Sequence, residues 1–104
     1  MILHSVAFTW NDDVSAADID GVTDALLAMA AALPMLRFYS CGKNLRVRPS
    51  SADFAVVAVV DDEQALAAYL DSDEHAVVQR DWLGRMIKDR VAFQLPIDGF
   101  APVE

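Results

Sequence analysis

The sequence predicts an α+β fold, a four-stranded antiparallel sheet with its helices on one face. Three observations carry that expectation. Some segments show strand patterning, while in others apolar residues recur at three- and four-residue steps. These segments run strand, helix, strand, strand, helix pair, strand, the split β-α-β order of a ferredoxin-like βαββααβ subunit. The third strand is apolar on both faces and therefore needs cover from two sides. The 104 residues suffice for one domain with one core, so 1–104 reads as a single domain with 96–104 as an extended tail.

Residues 2–10 form the first strand, with Ile2, His4, Val6, Phe8 and Trp10 on one face and Leu3, Ser5, Ala7 and Thr9 on the other. Asn11-Asp12-Asp13 is a turn. Ser15 with Asp18 then resembles a capping box, and Ile19, Val22, Leu26, Met29 and Leu33 make an amphipathic stripe that Pro34 ends. Residues 35–47 read as a long second strand in which Gly42 marks a bulge or a close backbone approach. Residues 53–60 are the strongest strand signal. Asp61 with Gln64 can cap the next helix, which carries Ala65, Leu66, Tyr69 and Leu70 inward. After the turn-prone Asp71-Ser72-Asp73, either Ser72 or Asp73 can cap a third helix with His75, Val78, Trp82 and Met86 on one face. Residues 89–95 are the last strand.

In this order the first and third strands are central. Phe54, Val56, Ala58 and Val60 make one face of the third, and Ala55, Val57 and Val59 the other. Helices cover one face only, and no element remains for the second. A second copy of the sheet completes the core, so the sequence predicts a two-fold homodimer. A hydrophobic share of 55%, above the usual half, points the same way. The tail residues Ile97, Phe100 and Val103 can reach across to the partner.

A net charge of −8, from 16 acids and 8 bases, argues against nucleic acid as a partner. No apolar run approaches the ~18 residues of a membrane span, and the N-terminus does not look like a signal peptide. The single cysteine, Cys41, rules out an internal disulfide, and together these features suggest a cytoplasmic protein. No phosphate-binding glycine loop, nucleophile elbow or zinc motif is present, so no cofactor is expected.

Chemistry concentrates at 68–75, Ala-Tyr-Leu-Asp-Ser-Asp-Glu-His. A histidine in the first turn of a helix is kept neutral by the helix dipole and is available as a base. Tyr69, across the helix break, can donate to a substrate carbonyl while His75 takes a proton. Either residue alone is more often a packing residue. His4 joins them if its strand face points to the helices. The cleft so formed would be lined by His4, Val6, Phe8, Phe54, Val56, Trp82 and Met86 and would bind a small apolar organic ligand. His4 and His75 have no third metal ligand at motif spacing, although Asp53 or Glu74 could supply one.

Taken together, His4, Pro34, Tyr39-x-x-Gly42-x-Asn44, Asp53-Phe54-Ala55, and Ala68-Tyr69 followed by His75 resemble the stress-responsive A/B barrel (Dabb) family over nearly the whole chain. The resemblance implies a dimeric α+β barrel. It also implies roles, because the plant polyketide cyclase of this family uses a tyrosine and a histidine at the same relative spacing. By that likeness His75 is the general base and Tyr69 orients or polarises a carbonyl. Ser72-Asp73 stands where the family commonly has His-Pro. Phe54 replaces a further pocket histidine of the cyclase, and Leu26 a pocket tyrosine, so the same substrate is not expected. Three readings remain open: a small-molecule binder with cyclase- or isomerase-like acid–base chemistry, a non-catalytic stress-linked binding or structural dimer, and a cofactor-free monooxygenase of the related dimeric barrel families.

Overall fold

The computed structural model describes residues 1–98. Its elements are β1 (Ile2–Trp10), α1 (Ala16–Ala31), β2 (Phe38–Lys43), β3 (Phe54–Val60), α2 (Glu63–Leu70), α3 (Asp73–Val78), a π-helical turn (Gln79–Leu83), α4 (Gly84–Met86) and β4 (Ile87–Pro96). The strands form one antiparallel sheet in the order β2-β3-β1-β4, which puts the two most apolar strands in the middle. β1 and β3 run in unbroken register from Ile2 opposite Val60 to Phe8 opposite Phe54.

The helix starts follow from their caps. Ser15 Oγ accepts from the Asp18 N–H at 3.1 Å and the Asp18 carboxylate accepts from the Ser15 N–H at 3.0 Å, the reciprocal pair of a capping box. α1 ends at Ala31, because Pro34 disfavours helical geometry at the residue before it. α2 is capped by Asp62, which accepts from the Ala65 N–H at 2.8 Å. Asp61, the expected cap, instead pairs in a fork with the Arg37 guanidinium.

β2 is half the expected length, for reasons at each end. Met35 and Leu36 finish the turn after α1, where the Leu36 N–H reaches Leu33 O at 3.2 Å. Beyond Lys43, the Asn44 side chain accepts from the Arg46 N–H at 2.9 Å and donates to Ala52 O at 2.8 Å. Arg46 then adopts a φ of 55°, a left-handed conformation that no strand accommodates. Gly42 corresponds to neither a bulge nor a close approach. The β2–β3 register runs through it unbroken, and a Cβ there would meet open space.

The inward rows are Val6, Phe8 and Trp10 of β1 and Phe54, Val56 and Ala58 of β3. They bury against Val22, Leu26, Met29 and Leu33 from the first helical segment and Val78, Leu83 and Met86 from the last. The π-helical turn carries one extra residue, so Leu83, not Trp82, is the next buried position after Val78. Trp82 is turned sideways, its ring packed where Gly21 leaves room.

Among the described residues nothing covers the opposite sheet face. Row by row it carries Phe38, Val59, Leu3 and Leu95; then Ser40, Val57, Ser5 and Phe93; then Gly42, Ala55, Ala7 and Val91. Phe38, Val91, Phe93 and Leu95 are all exposed, an apolar surface of the kind that marks an interface. Ile97 stays with its own sheet, its N–H on Met1 O at 2.9 Å. Phe100 and Val103, and with them the rest of the expected tail, lie outside the described residues. Among the described residues no helix is long and apolar enough to cross a membrane.

Candidate functional site

β4 alternates in the reverse sense to the other strands. Its apolar residues Val91, Phe93 and Leu95 face the bare side, while Arg90, Ala92 and Gln94 face the helix side, opposite Phe8, Val6 and His4 of β1. A polar row facing inward marks a strand that no helix covers, and Arg90, Ala92 and Gln94 are accordingly exposed. Next to it, under the α2–α3 junction, lies a cavity of about 270 Å³. Val6, Phe8, Leu26 and Val56 form its apolar floor, with Leu70, Leu83 and Ala92 at the sides. Its polar wall is His4, Tyr39, Tyr69, His75, Gln79, Arg90 and Gln94.

Local sequence explains why Tyr69 and His75 meet. α2 stops at Leu70, and Ser72 closes the break from both sides. Its hydroxyl donates to Tyr69 O at 2.7 Å and accepts from the His75 N–H at 3.1 Å, which caps α3. The two rings stand perpendicular with centroids 5.4 Å apart. Tyr69 also meets His4 edge to face at 6.1 Å and Tyr39 at 6.5 Å. It is therefore the hub of the cluster, 3% exposed.

The imidazoles differ in their partners. Gln94 Nε2 lies 2.8 Å from His4 Nδ1, so with the amide in this orientation Gln94 donates and His4 keeps its proton on Nε2. The His75 ring makes no hydrogen bond among the described residues and keeps a free lone pair. Burial lowers the pKa of both rings. For His4 the next causes are His75 and then Arg90, and for His75 Arg90 with Asp71 opposing. Both are therefore neutral at pH 7. Burial pushes the Tyr69 phenol up to about 12 and that of Tyr39 higher still, so both keep their protons. The Tyr39 hydroxyl is buried without a hydrogen-bond partner among the described residues.

Of the residues expected at the cleft, the structure brings His4, Val6, Phe8, Val56, Tyr69 and His75 together on this cavity. Phe54 and Met86 do not reach it. Both are fully buried in the core, Phe54 against Phe8 and Trp10. The π-helical turn diverts Trp82 to a separate groove, lined by Ala25, Ala28, Met29 and Val77 among others. The acids considered as third metal ligands lie elsewhere. Asp53 accepts from the Trp10 N–H at 2.8 Å and pairs with Arg46, and Glu74 lines the Trp82 groove. Among the described residues no three His, Cys, Asp or Glu side chains gather at a possible metal site. Tyr39, Gln79, Arg90 and Gln94 were not anticipated. The inverted alternation of β4 was the signal for the last two.

Comparison with known proteins agrees with this architecture. Residues 2–97 match the family model described as the stress responsive A/B barrel domain. An uncharacterized protein of Streptomyces coelicolor is 38% identical over 78 residues, 72% of this chain and 79% of its own length. A dimeric ferredoxin-like protein of unknown function from Thermobifida fusca has a crystal structure that superposes with a TM-score of 0.85 at 36% identity, covering 92% of this chain and 90% of that one. A hydroxynitrile lyase from Passiflora edulis shares the fold at 13% identity and a TM-score of 0.81, over 97% of this chain and 96% of its own.

Proposed function

The chain belongs to the stress responsive A/B barrel domain family, and on that premise we propose that it binds a small organic molecule in the β4-side cavity and moves a proton on it without a cofactor. The observation that carries this reading is the placing of the Tyr69 phenol and an imidazole with no hydrogen-bond partner, His75, on one cavity wall, their ring centroids 5.4 Å apart. A neutral imidazole accepts a proton from a carbon next to a carbonyl. The C–H electron pair passes into the enolate, and the Tyr69 phenol, which stays protonated, donates to the oxygen where the charge gathers. Return of the proton to another carbon isomerises the ligand, and attack of the enolate on a second carbonyl cyclises it. The working unit in this proposal is a homodimer joined through the bare apolar sheet face, with one cavity in each subunit.

Deuterium exchange tests the proposal. Acetophenone and 2-heptanone are incubated with the protein in D2O, and α-deuteration is followed by NMR. The protein should accelerate exchange, and His75→Ala should remove about 10²-fold or more of that acceleration. Tyr69→Phe should remove part of it, with both variants still dimeric. Exchange that His75→Ala leaves unchanged would eliminate His75 as the base. Ketone binding without accelerated exchange would leave a binding protein only.

A further inference from the structure

One charged side chain stands on the cavity wall without a partner. The chain carries twice as many acids as bases; Arg37, Arg46, Arg80 and Arg85 each pair with an aspartate, while the exposed Lys43, Arg48 and Lys88 have no acid partner among the described residues and lie away from the cavity. Arg90 has no acid partner among the described residues, although acids outnumber bases over the chain as a whole. It is also the only formally charged residue on the cavity lining, where no carboxylate appears among the described residues. The register explains its position: Arg90 sits opposite Phe8 on the uncovered edge strand, at the exposed side of the cavity, two and four residues from Ala92 and Gln94 on the same row.

We propose that the cavity takes a small organic monocarboxylate, its apolar body on Val6, Phe8, Leu26 and Val56 and its carboxylate on the Arg90 guanidinium. The fork of a guanidinium matches a carboxylate in two parallel N–H···O bonds. The floor offers only apolar contact, and about 270 Å³ holds a body the size of a phenyl ring or a short alkyl chain. The assignment names the substrate class of the cavity and so rests on the proposed function.

A consequence links binding to chemistry. Arg90 is one of the causes that keep His4 and His75 poor bases. Burial is the larger cause; a carboxylate on the guanidinium offsets the share that is Arg90's, so ligand binding moves both imidazoles toward higher basicity. The base is then strengthened when substrate is present.

The test compares benzoate and hexanoate with benzamide and hexanamide, which match them in shape but carry no charge. Affinity is measured by titration, and the histidine ring C–H signals are followed by NMR. The carboxylates should bind about tenfold or more tightly than their amides. Arg90→Gln, a substitution on an exposed edge position, should abolish that preference, the carboxylates losing about tenfold more affinity than the amides. Bound benzoate should shift the His4 and His75 titrations to higher pH in the wild type and not in Arg90→Gln. Equal binding of acids and amides, or a preference that survives Arg90→Gln, overturns the carboxylate assignment and leaves the cavity as a binding site. If none of the four probes moves the histidine signals, the carboxylate assignment and the proposed function fall together.

Discussion

Gly21→Ala should destabilise the fold even though alanine is the better helix former. Gly21 lies within α1, and the exchange alone would stabilise a helix by about 1 kcal/mol. A Cβ at this position, however, would lie 2.2 Å from Trp82 Cη2 and 2.5 Å from Cζ3. To restore a carbon–carbon separation of about 3.5 Å from 2.2 Å, the indole has to retreat roughly 1.3 Å. It is rigid, and the Arg85 guanidinium lies over it 5.5 Å from its centroid. Overpacking costs about 1–3 kcal/mol, and contacts as short as these belong to the upper part of that range, so the net loss is about 1–2 kcal/mol. Thermal melts at fixed protein concentration should show a midpoint several degrees lower, at about 2–8 °C per kcal/mol across domains of this size range. A cycle with Trp82→Ala isolates the contact. In that background Gly21→Ala should be neutral or stabilising by up to about 1 kcal/mol. An unchanged or higher midpoint in the wild-type background would mean that the glycine is not there for Trp82.

The two remaining predictions concern acid and assembly. His4 and His75 have folded-state pKa values below the ordinary 6.5 of an unfolded histidine, so the unfolded chain binds protons first on acidification. The stability is present in full above pH 6.5 and is lost as the pH falls through the depressed values. Denaturant midpoints should therefore fall between pH 7.5 and 5, and His4→Phe with His75→Phe should flatten the slope; a slope unaffected by the pair would assign it to other groups. Phe93→Glu places a charge in the central row of the bare face, beside Ser5. Light scattering should report a dimer for the wild type and a folded monomer for the variant, and a variant dimer would move the interface elsewhere.

Much of the architecture was legible because it rests on short-range rules. The two-faced strand 53–60 demanded a central position, and the Ser15–Asp18 box set the start of α1. The site was legible where side chains follow a simple period, as in His4, Val6 and Phe8, and where a break announces itself, as at Ser72. It was hidden where the backbone departs from that period. A π-helical turn has no residue signature, so an α-helical count from His75 reaches Trp82 and Met86, while the chain delivers Leu83 to the cavity. β2 was overestimated because a run of strand-like residues does not show that the Asn44 side chain will take over the backbone hydrogen bonds.

Ser72 has a consequence for how the site can be taken apart. One hydroxyl holds the tyrosine's own carbonyl and the histidine's own amide. The spacing of the two functional groups is therefore set by the main chain and not by their mutual contact. Either ring can be exchanged while the other stays at its address. The pair is thus open to separate chemical dissection, with an unnatural phenol at one position or an altered azole at the other, each read against an undisturbed neighbour.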